Sequence, residues 1–154
     1  MKTQVTALWL ICLLALLACS KPPVEQQIKN NTKKIQAAIE NKKADKVLTY
    51  LAEEFQAYQS IGTSGKRNAA YYLDKQQLRK LMLLQFLRHK NINVSFSAIK
   101  VELDPVYSNK AVMKTTAIVT GASGWLPDDG RIYPLVGQWR YLEGDWYMTE
   151  LEWR

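Results

Sequence analysis

The apolar positions of this chain change period along its length. Over residues 24–41, Ile28, Thr32, Ile35, Ala38 and Ile39 recur at three- and four-residue spacing, and Lys29, Lys33 and Lys34 fall off that stripe. The spacing predicts an amphipathic helix with one buried face. A short second helix is expected over residues 45–52, with Asp45 as its N-cap and Val47, Leu48 and Leu51 turned inward. Phe55 and Tyr58 then lead into a Gly/Ser loop over residues 60–68. Asp74 is placed to cap a third helix. Gln77 completes a capping box three residues on, and Leu73 and Leu78 form a hydrophobic staple. Leu81, Met82, Leu83, Leu84, Phe86 and Leu87 cover nearly the whole circumference of that helix, which predicts deep burial. His89, Lys90 and Asn91 suit its C-terminal end.

From Asn91 onward the period becomes two. Ile92, Val94, Phe96 and Ala98 share one face, and the apolar set then passes to Ile99, Val101 and Leu103. A switch of face within one strand predicts a β-bulge at Ala98 and Ile99. Asp104-Pro105 and Ser108-Asn109 turn the chain into a strand over 110–121. A Gly-rich loop, GASGWLPDDGR, leads to a strand over 132–142, and Glu143-Gly144-Asp145 turns tightly into a last strand over 146–154. Connections this short make antiparallel hairpins. Along the last strands Tyr133, Trp139 and Tyr141 share one face.

The N-terminal apolar run, residues 7–17 behind Lys2, is too short to span a bilayer. With Leu16-Leu17-Ala18-Cys19 it resembles the lipobox of a bacterial lipoprotein, although Leu17 stands where the pattern prefers a smaller or β-branched residue. The resemblance implies cleavage before Cys19, diacylation of its Sγ and acylation of the new amine. It divides the chain into a signal peptide (1–18), a lipidated N-terminus with a short tether (19–23) and a domain (24–154). Two or three acyl chains anchor durably where one holds only marginally. Ser20, in place of an aspartate, points to the inner leaflet of the outer membrane, facing the periplasm, rather than the inner membrane. Residues 20–23 reach roughly 15 Å at about 3.5 Å each, and Pro22 and Pro23 stiffen them.

Composition removes several chemistries. Cys12 would leave with the signal peptide and Cys19 would be lipidated, so the domain has no thiol for a disulfide, a nucleophile or a metal site. The net charge is +7, with a cluster at Lys29, Lys33, Lys34, Lys42 and Lys43. We read that cluster as a solvated helix face, with attraction to an anionic leaflet as the alternative. Nucleic acid is not an expected partner in the envelope.

Ala38-Ile39, Asp45-Lys46-Val47 and residues 51–55, together with Trp139-Arg140, Glu143-Gly144-Asp145-Trp146-Tyr147 and Leu151-Glu152-Trp153, resemble the opening and the last hairpin of the nuclear transport factor 2-like (cystatin-like α+β) superfamily. The fold implied is α+β: three N-terminal helices, then a curved antiparallel sheet wrapping the third helix as a cone with a pocket at its open end. The superfamily includes isomerases, dehydratases, cyclases, immunity proteins and transport adaptors, so the resemblance implies a fold more than an activity. Dimers through the outer sheet face are common in it.

Its enzymes place an aspartate or an Asp–His pair in the cone. The single histidine here, His89, falls at a helix end between Arg88 and Lys90 and reads as solvated. Asp104, Asp128, Asp129, Glu143 and Asp145 are explained by turn chemistry. Gly62-Thr63-Ser64-Gly65-Lys66-Arg67 lacks the glycine spacing and trailing Ser/Thr of a phosphate loop, and Asp128-Asp129-Gly130 lacks the alternating ligands of a calcium loop. Glu150 and Glu152 lie opposite Leu151 and Trp153, on a face that is either solvent or pocket. Trp125, in the Gly-rich loop, either anchors a partner or a membrane interface, or packs back over the sheet. Trp125, Tyr58, Glu150 and Glu152 are therefore the candidate pocket or partner contacts, beside Cys19 for lipidation. No catalytic residue, metal ligand or cofactor is expected. The expected role is a binding module of the cell envelope that contacts the bilayer through Cys19 and an envelope protein through its surface. A small-ligand binder or enzyme using the cone, and an immunity protein against an envelope-acting toxin, are the alternatives.

Overall fold

The structure, a computed structural model, describes residues 21–61, 66–121 and 132–153. The apolar leader and Cys19, residues 62–65, and the Gly-rich loop with Trp125 and Asp128-Asp129-Gly130 lie outside the described residues.

Helix α1 (Val24–Glu40) follows Pro22-Pro23 and buries the stripe its periodicity predicts, Ile28, Thr32, Ile35 and Ala38. Lys42 takes a left-handed conformation (φ 56°) just beyond it, and the amides of Lys42 and Lys43 donate to the carbonyls of Ile39 and Ala38 at 2.9 and 2.8 Å. These bonds satisfy the last carbonyls of the helix. Helix α2 (Ala44–Leu48) begins one residue before Asp45, which sits in its first turn and makes no side-chain cap.

Two strands then come earlier than expected. Strand β1 (Leu51–Ile61) and strand β2 (Lys66–Asp74) form a hairpin where the sequence suggests a helix end and a loop. Helix α3 (Lys75–Arg88) follows, then β3 (Asn93–Leu103), β4 (Lys110–Thr120), β5 (Ile132–Leu142) and β6 (Asp145–Trp153). The six strands form one sheet in the order β2-β1-β6-β5-β4-β3. All neighbours are antiparallel except β1 and β6, which run parallel. The α+β class and the curved sheet are as expected.

Four irregularities bend the sheet, one of them between Tyr58 and Gln59 where β1 pairs with β2. The register of β3 against β4 shifts between Ser97 and Lys100, with Ala98 at φ 52°. This is the bulge that the change of apolar face predicts, and it returns Ile99 and Val101 to the core side. Another shift lies between Gln138 and Trp139, where Thr149 Oγ1 donates to the Gln138 carbonyl at 3.3 Å. The last separates Leu51 from Gln56 where β1 pairs with β6. Bulges raise the local twist and curl a sheet. The β5–β6 connection holds both Glu143 (φ 50°) and Gly144 (φ 95°) in the left-handed region, as a type I′ hairpin requires.

The core lies between α1 and the inner sheet face. Trp139, Phe55, Ile28, Met113 and Thr32 are its most enclosed large side chains. Gly137 makes room for the indole of Trp139: a Cβ there would stand 3.2 Å from Trp139 Nε1 and 3.3 Å from Met113 Cε. Tyr141 and Trp146 stack at a tilt, 5.5 Å between centroids.

The third helix departs from expectation. Its start is as read: Asp74 Oδ1 accepts from the Gln77 amide at 2.7 Å and Gln77 Oε1 accepts from the Asp74 amide at 2.9 Å. Its body, however, packs at the margin against β1, β2 and α2. Only Met82 and Gln85 are buried, while Leu83, Leu84 and Leu87 are exposed, Leu87 at 86%. The helix lying across the sheet is α1. Because α3 meets only β1, β2 and α2 among the described residues, one side of its apolar surface is covered and the rest stays exposed.

Candidate functional site on the outer sheet face

Parallel pairing of β1 with β6 sets Tyr58 beside Glu152 and Gln56 beside Glu150. Side chains alternate across a sheet, so these groups share the face opposite Ala57, Leu151 and Trp153, which point into the core. The question of solvent or pocket for Glu150 and Glu152 is thereby answered: their face is the one turned away from the helices. The Tyr58 hydroxyl donates to Glu150 Oε2 at 3.4 Å. Tyr58 is buried, both glutamates are half-buried, and Tyr72 on β2, directly opposite Tyr58, is exposed. The result is a row of aromatic and acidic groups at one side of the outer face. Its flanks carry ion pairs, Arg140 to Glu54 at 3.0 Å and Lys114 to Glu102 at 3.3 Å.

Next to this row is a shallow hollow of about 260 Å³. It is lined by Ala98, Lys114, Thr115, Thr116, Pro134, Leu135 and Val136. Val136 pairs with Glu152 across β5 and β6, so hollow and acidic row are continuous. A second hollow, about 230 Å³, lies at the end of α1 among Lys34, Lys43, Lys46 and Tyr50. Lys33 and Lys34 are exposed there, and Lys29 pairs with Glu25 at 2.7 Å.

Sequence reasoning found Tyr58, Glu150 and Glu152 as separate candidates, and the structure brings them together. Trp125 and Cys19 lie outside the described residues. His89 ends α3 half-buried, its amide donating to the Gln85 carbonyl at 2.9 Å. Two groups on the core side escaped the sequence. Gln85 Oε1 and Trp139 Nε1 are buried without a hydrogen-bond partner among the described residues. A buried group of this kind costs about 1–3 kcal/mol unless a ligand or water meets it. No pattern of residue types announces such an unpaired buried group. Among the described residues, no carboxylate is buried, no three His, Cys, Asp or Glu side chains gather as a metal set, and no helix is long and apolar enough to cross a membrane.

No protein-family model and no curated protein matches the sequence. Solved structures do. A nuclear transport factor 2-like protein from Cytophaga hutchinsonii superposes with a TM-score of 0.63 at 14% identity, covering 86% of this chain and 98% of its own. A protein of unknown function with a cystatin-like fold from Nostoc punctiforme gives 0.62 at 13% identity, covering 83% and 87%. A protein provisionally described as a scytalone dehydratase from Novosphingobium aromaticivorans gives 0.59 at 11%, covering 84% and 81%. Identities this low speak for architecture alone: the chain has the nuclear transport factor 2-like, or cystatin-like, α+β fold.

Proposed function

We propose that this chain is a membrane-anchored, non-catalytic binding module of the cell envelope. Acylated Cys19 holds it in the inner leaflet of the outer membrane, and the outer sheet face around Tyr58, Tyr72, Glu150 and Glu152 takes a protein partner. One observation carries the reading. The groups able to recognise a partner lie together on the outer face, continuous with an apolar hollow, while Trp139, Phe55, Ile28 and Met113 fill the helix side. Half-buried carboxylates beside aromatic rings suit a basic, partly apolar surface, because charge complementarity sets register and on-rate while the rings supply contact area.

Photo-crosslinking from position 72 in growing cells, with position 87 on α3 as comparison, tests this. A partner is expected from position 72 alone. With that partner purified, Glu152→Lys should weaken binding about tenfold, equivalent to about 1.4 kcal/mol. Adducts of the chain with itself would replace the partner by a homodimer through the sheet. No adduct from position 72 would overturn the reading.

A second reading is favoured by the partnerless Gln85 Oε1 and Trp139 Nε1. In it a small ligand enters from the helix side and pairs with one of them. The dehydratase described among the fold neighbours is compatible with such a use.

A further inference from the structure

The two ends of the sheet differ. The starts of β3 and β5 and the ends of β4, β6 and β1 meet at one end, near the C-terminal end of α3. The β3–β4 and β5–β6 turns meet at the other, where Tyr141 donates its amide to the Asn109 carbonyl at 2.8 Å. The tether leaves the domain at this turn end. Lys21 Nζ donates to Tyr141 Oη at 3.0 Å and to the Gly144 carbonyl at 3.2 Å, and lies 5.6 Å from the Tyr141 ring centroid. Cys19 is two residues earlier, within about 7 Å along the chain.

Beside that exit, the β3–β4 turn carries apolar side chains that the core does not use. Leu103, Val106 and Tyr107 are 51%, 76% and 54% exposed, and Pro105 between them is exposed as well. The turn is built to hold them out. Asp104 Oδ1 accepts from the amides of Val106 and Tyr107 at 2.8 and 2.9 Å, the Asp104 amide donates to the Lys110 carbonyl at 3.0 Å, and the Lys110 amide donates to the Tyr107 carbonyl at 2.9 Å. The two backbone bonds to Asp104 hold its carboxyl below the usual carboxylate range, with Lys110 adding to the effect. Lys110 Nζ sits 4.2 Å from the Tyr107 ring centroid. An apolar tip with a tyrosine at its shoulder and Lys21 and Lys110 beside it has the composition of a lipid–water interface contact. Aliphatic groups enter the acyl boundary, the tyrosine sits at headgroup depth, and the cations meet phosphates.

We propose that the β3–β4 turn, Leu103 to Lys110, docks into the leaflet that holds the Cys19 acyl chains and fixes the orientation of the domain on the membrane. The proposal rests on the anchoring of Cys19 proposed above. It points the opposite end of the sheet, with Leu87 and Gly121, away from the bilayer and into the periplasm, and leaves the outer sheet face upright and open to a partner.

The test uses the full chain, made with its leader in bacteria, carrying Val106→Cys in one preparation and Leu87→Cys in another. Both positions are exposed, and acylation leaves each variant with one free thiol for an environment-sensitive dye. The labelled proteins are placed in phosphatidylethanolamine/phosphatidylglycerol vesicles with nitroxide-bearing lipids. We expect a blue shift at position 106 and quenching at least about twofold stronger than at position 87. With Cys19 acylated by mass, equal quenching at the two positions overturns the docking of the turn and leaves the anchor standing. Unmodified Cys19 in a protein that stays in the aqueous phase overturns the anchor, and the docking with it. A blue shift that grows with protein concentration and is not quenched by the lipids assigns the turn to a second copy of the chain and also overturns the proposal.

Discussion

Helix α1 and helix α3 invert what their compositions suggest. Helix α3 carries the more large apolar side chains, yet it lies at the edge of the sheet and leaves Leu83, Leu84 and Leu87 exposed. Helix α1 carries fewer, in one stripe, and sits at the centre of the core with Met113 and Trp139. Burial follows the arrangement of apolar groups on a helix rather than their number, because a helix can offer only one face to a sheet. The polar members of α1 fit the same logic: Thr32 Oγ1 donates to the Ile28 carbonyl at 2.9 Å, and Asn31 Nδ2 donates to the Trp146 carbonyl at 3.1 Å.

The sharpest way to break this comparison is a pair of truncations. Ile28→Ala should cost about 2–5 kcal/mol, the range for a fully enclosed aliphatic side chain, while Leu87→Ala should stay within about 0.5 kcal/mol, as for an ordinary surface site. Denaturant unfolding of both variants measures the difference. Equal losses would mean that Leu87 is covered by another part of the chain and that the two helices are buried alike.

A smaller effect is expected at the start of α3. Asp74→Ala removes the acceptor for the Gln77 amide and should cost about 1–2 kcal/mol. If α3 is held chiefly by its ends, as its edge position suggests, proteolysis within the helix should rise along with the loss of stability. Lys75 supports the same end, donating to the Leu51 carbonyl at 2.9 Å and to Glu53 Oε1 at 2.7 Å. Protection of the helix from protease despite the lost cap would show that Met82 and its neighbours hold it unaided.

These contrasts mark what the sequence could convey. The stripe of α1, the capping box of α3 and the bulge at Ala98 were all legible, because each is written in spacing within a few residues. The β1–β2 hairpin was not. Leu51-Ala52-Glu53-Glu54 are good helix formers, and the run becomes a strand only beside β6, about a hundred residues later, with a register break after Leu51 that hides the period of two. Tyr58, Glu150 and Glu152 were legible as candidates but not as neighbours, since their meeting depends on that same pairing. The face of Glu150 and Glu152 was ambiguous because alternation states that two faces exist and leaves open which one the helices cover.

Gln85 sharpens the comparison from the polar side, since it is one of the two buried residues of α3 and its Oε1 has no partner among the described residues. Gln85→Met keeps the length of the side chain and removes the stranded carbonyl, so stability should rise by about 1 kcal/mol. A loss of stability would mean that the carbonyl accepts a bond from a ligand or an ordered water. Measured before and after exhaustive dialysis, such a loss would separate a bound small molecule from water and would favour the ligand-binding reading.

The smallest effect concerns the polar seam that ties α3 to α2. Arg79 Nε donates to Asp45 Oδ1 at 2.7 Å, and this bond, with the charge of Arg79, holds the Asp45 carboxyl below its ordinary value of 3.8. A carboxyl lowered in the folded state stabilises the fold above its unfolded pKa, and that contribution is lost as pH falls through the folded value. Asp45→Asn should therefore lower stability slightly near neutral pH and make no difference once the medium is acid enough to protonate Asp45 in the folded protein. Both partners are exposed, so raising the salt should shrink the effect as well. Unfolding midpoints of the two proteins across pH at low and high salt measure it. A difference that survives in acid could not come from the ion pair and would trace to the amide group that replaces the carboxyl. The attachment of α3 would then rest on its few apolar contacts alone, and its contrast with the stripe-buried α1 would be sharper still.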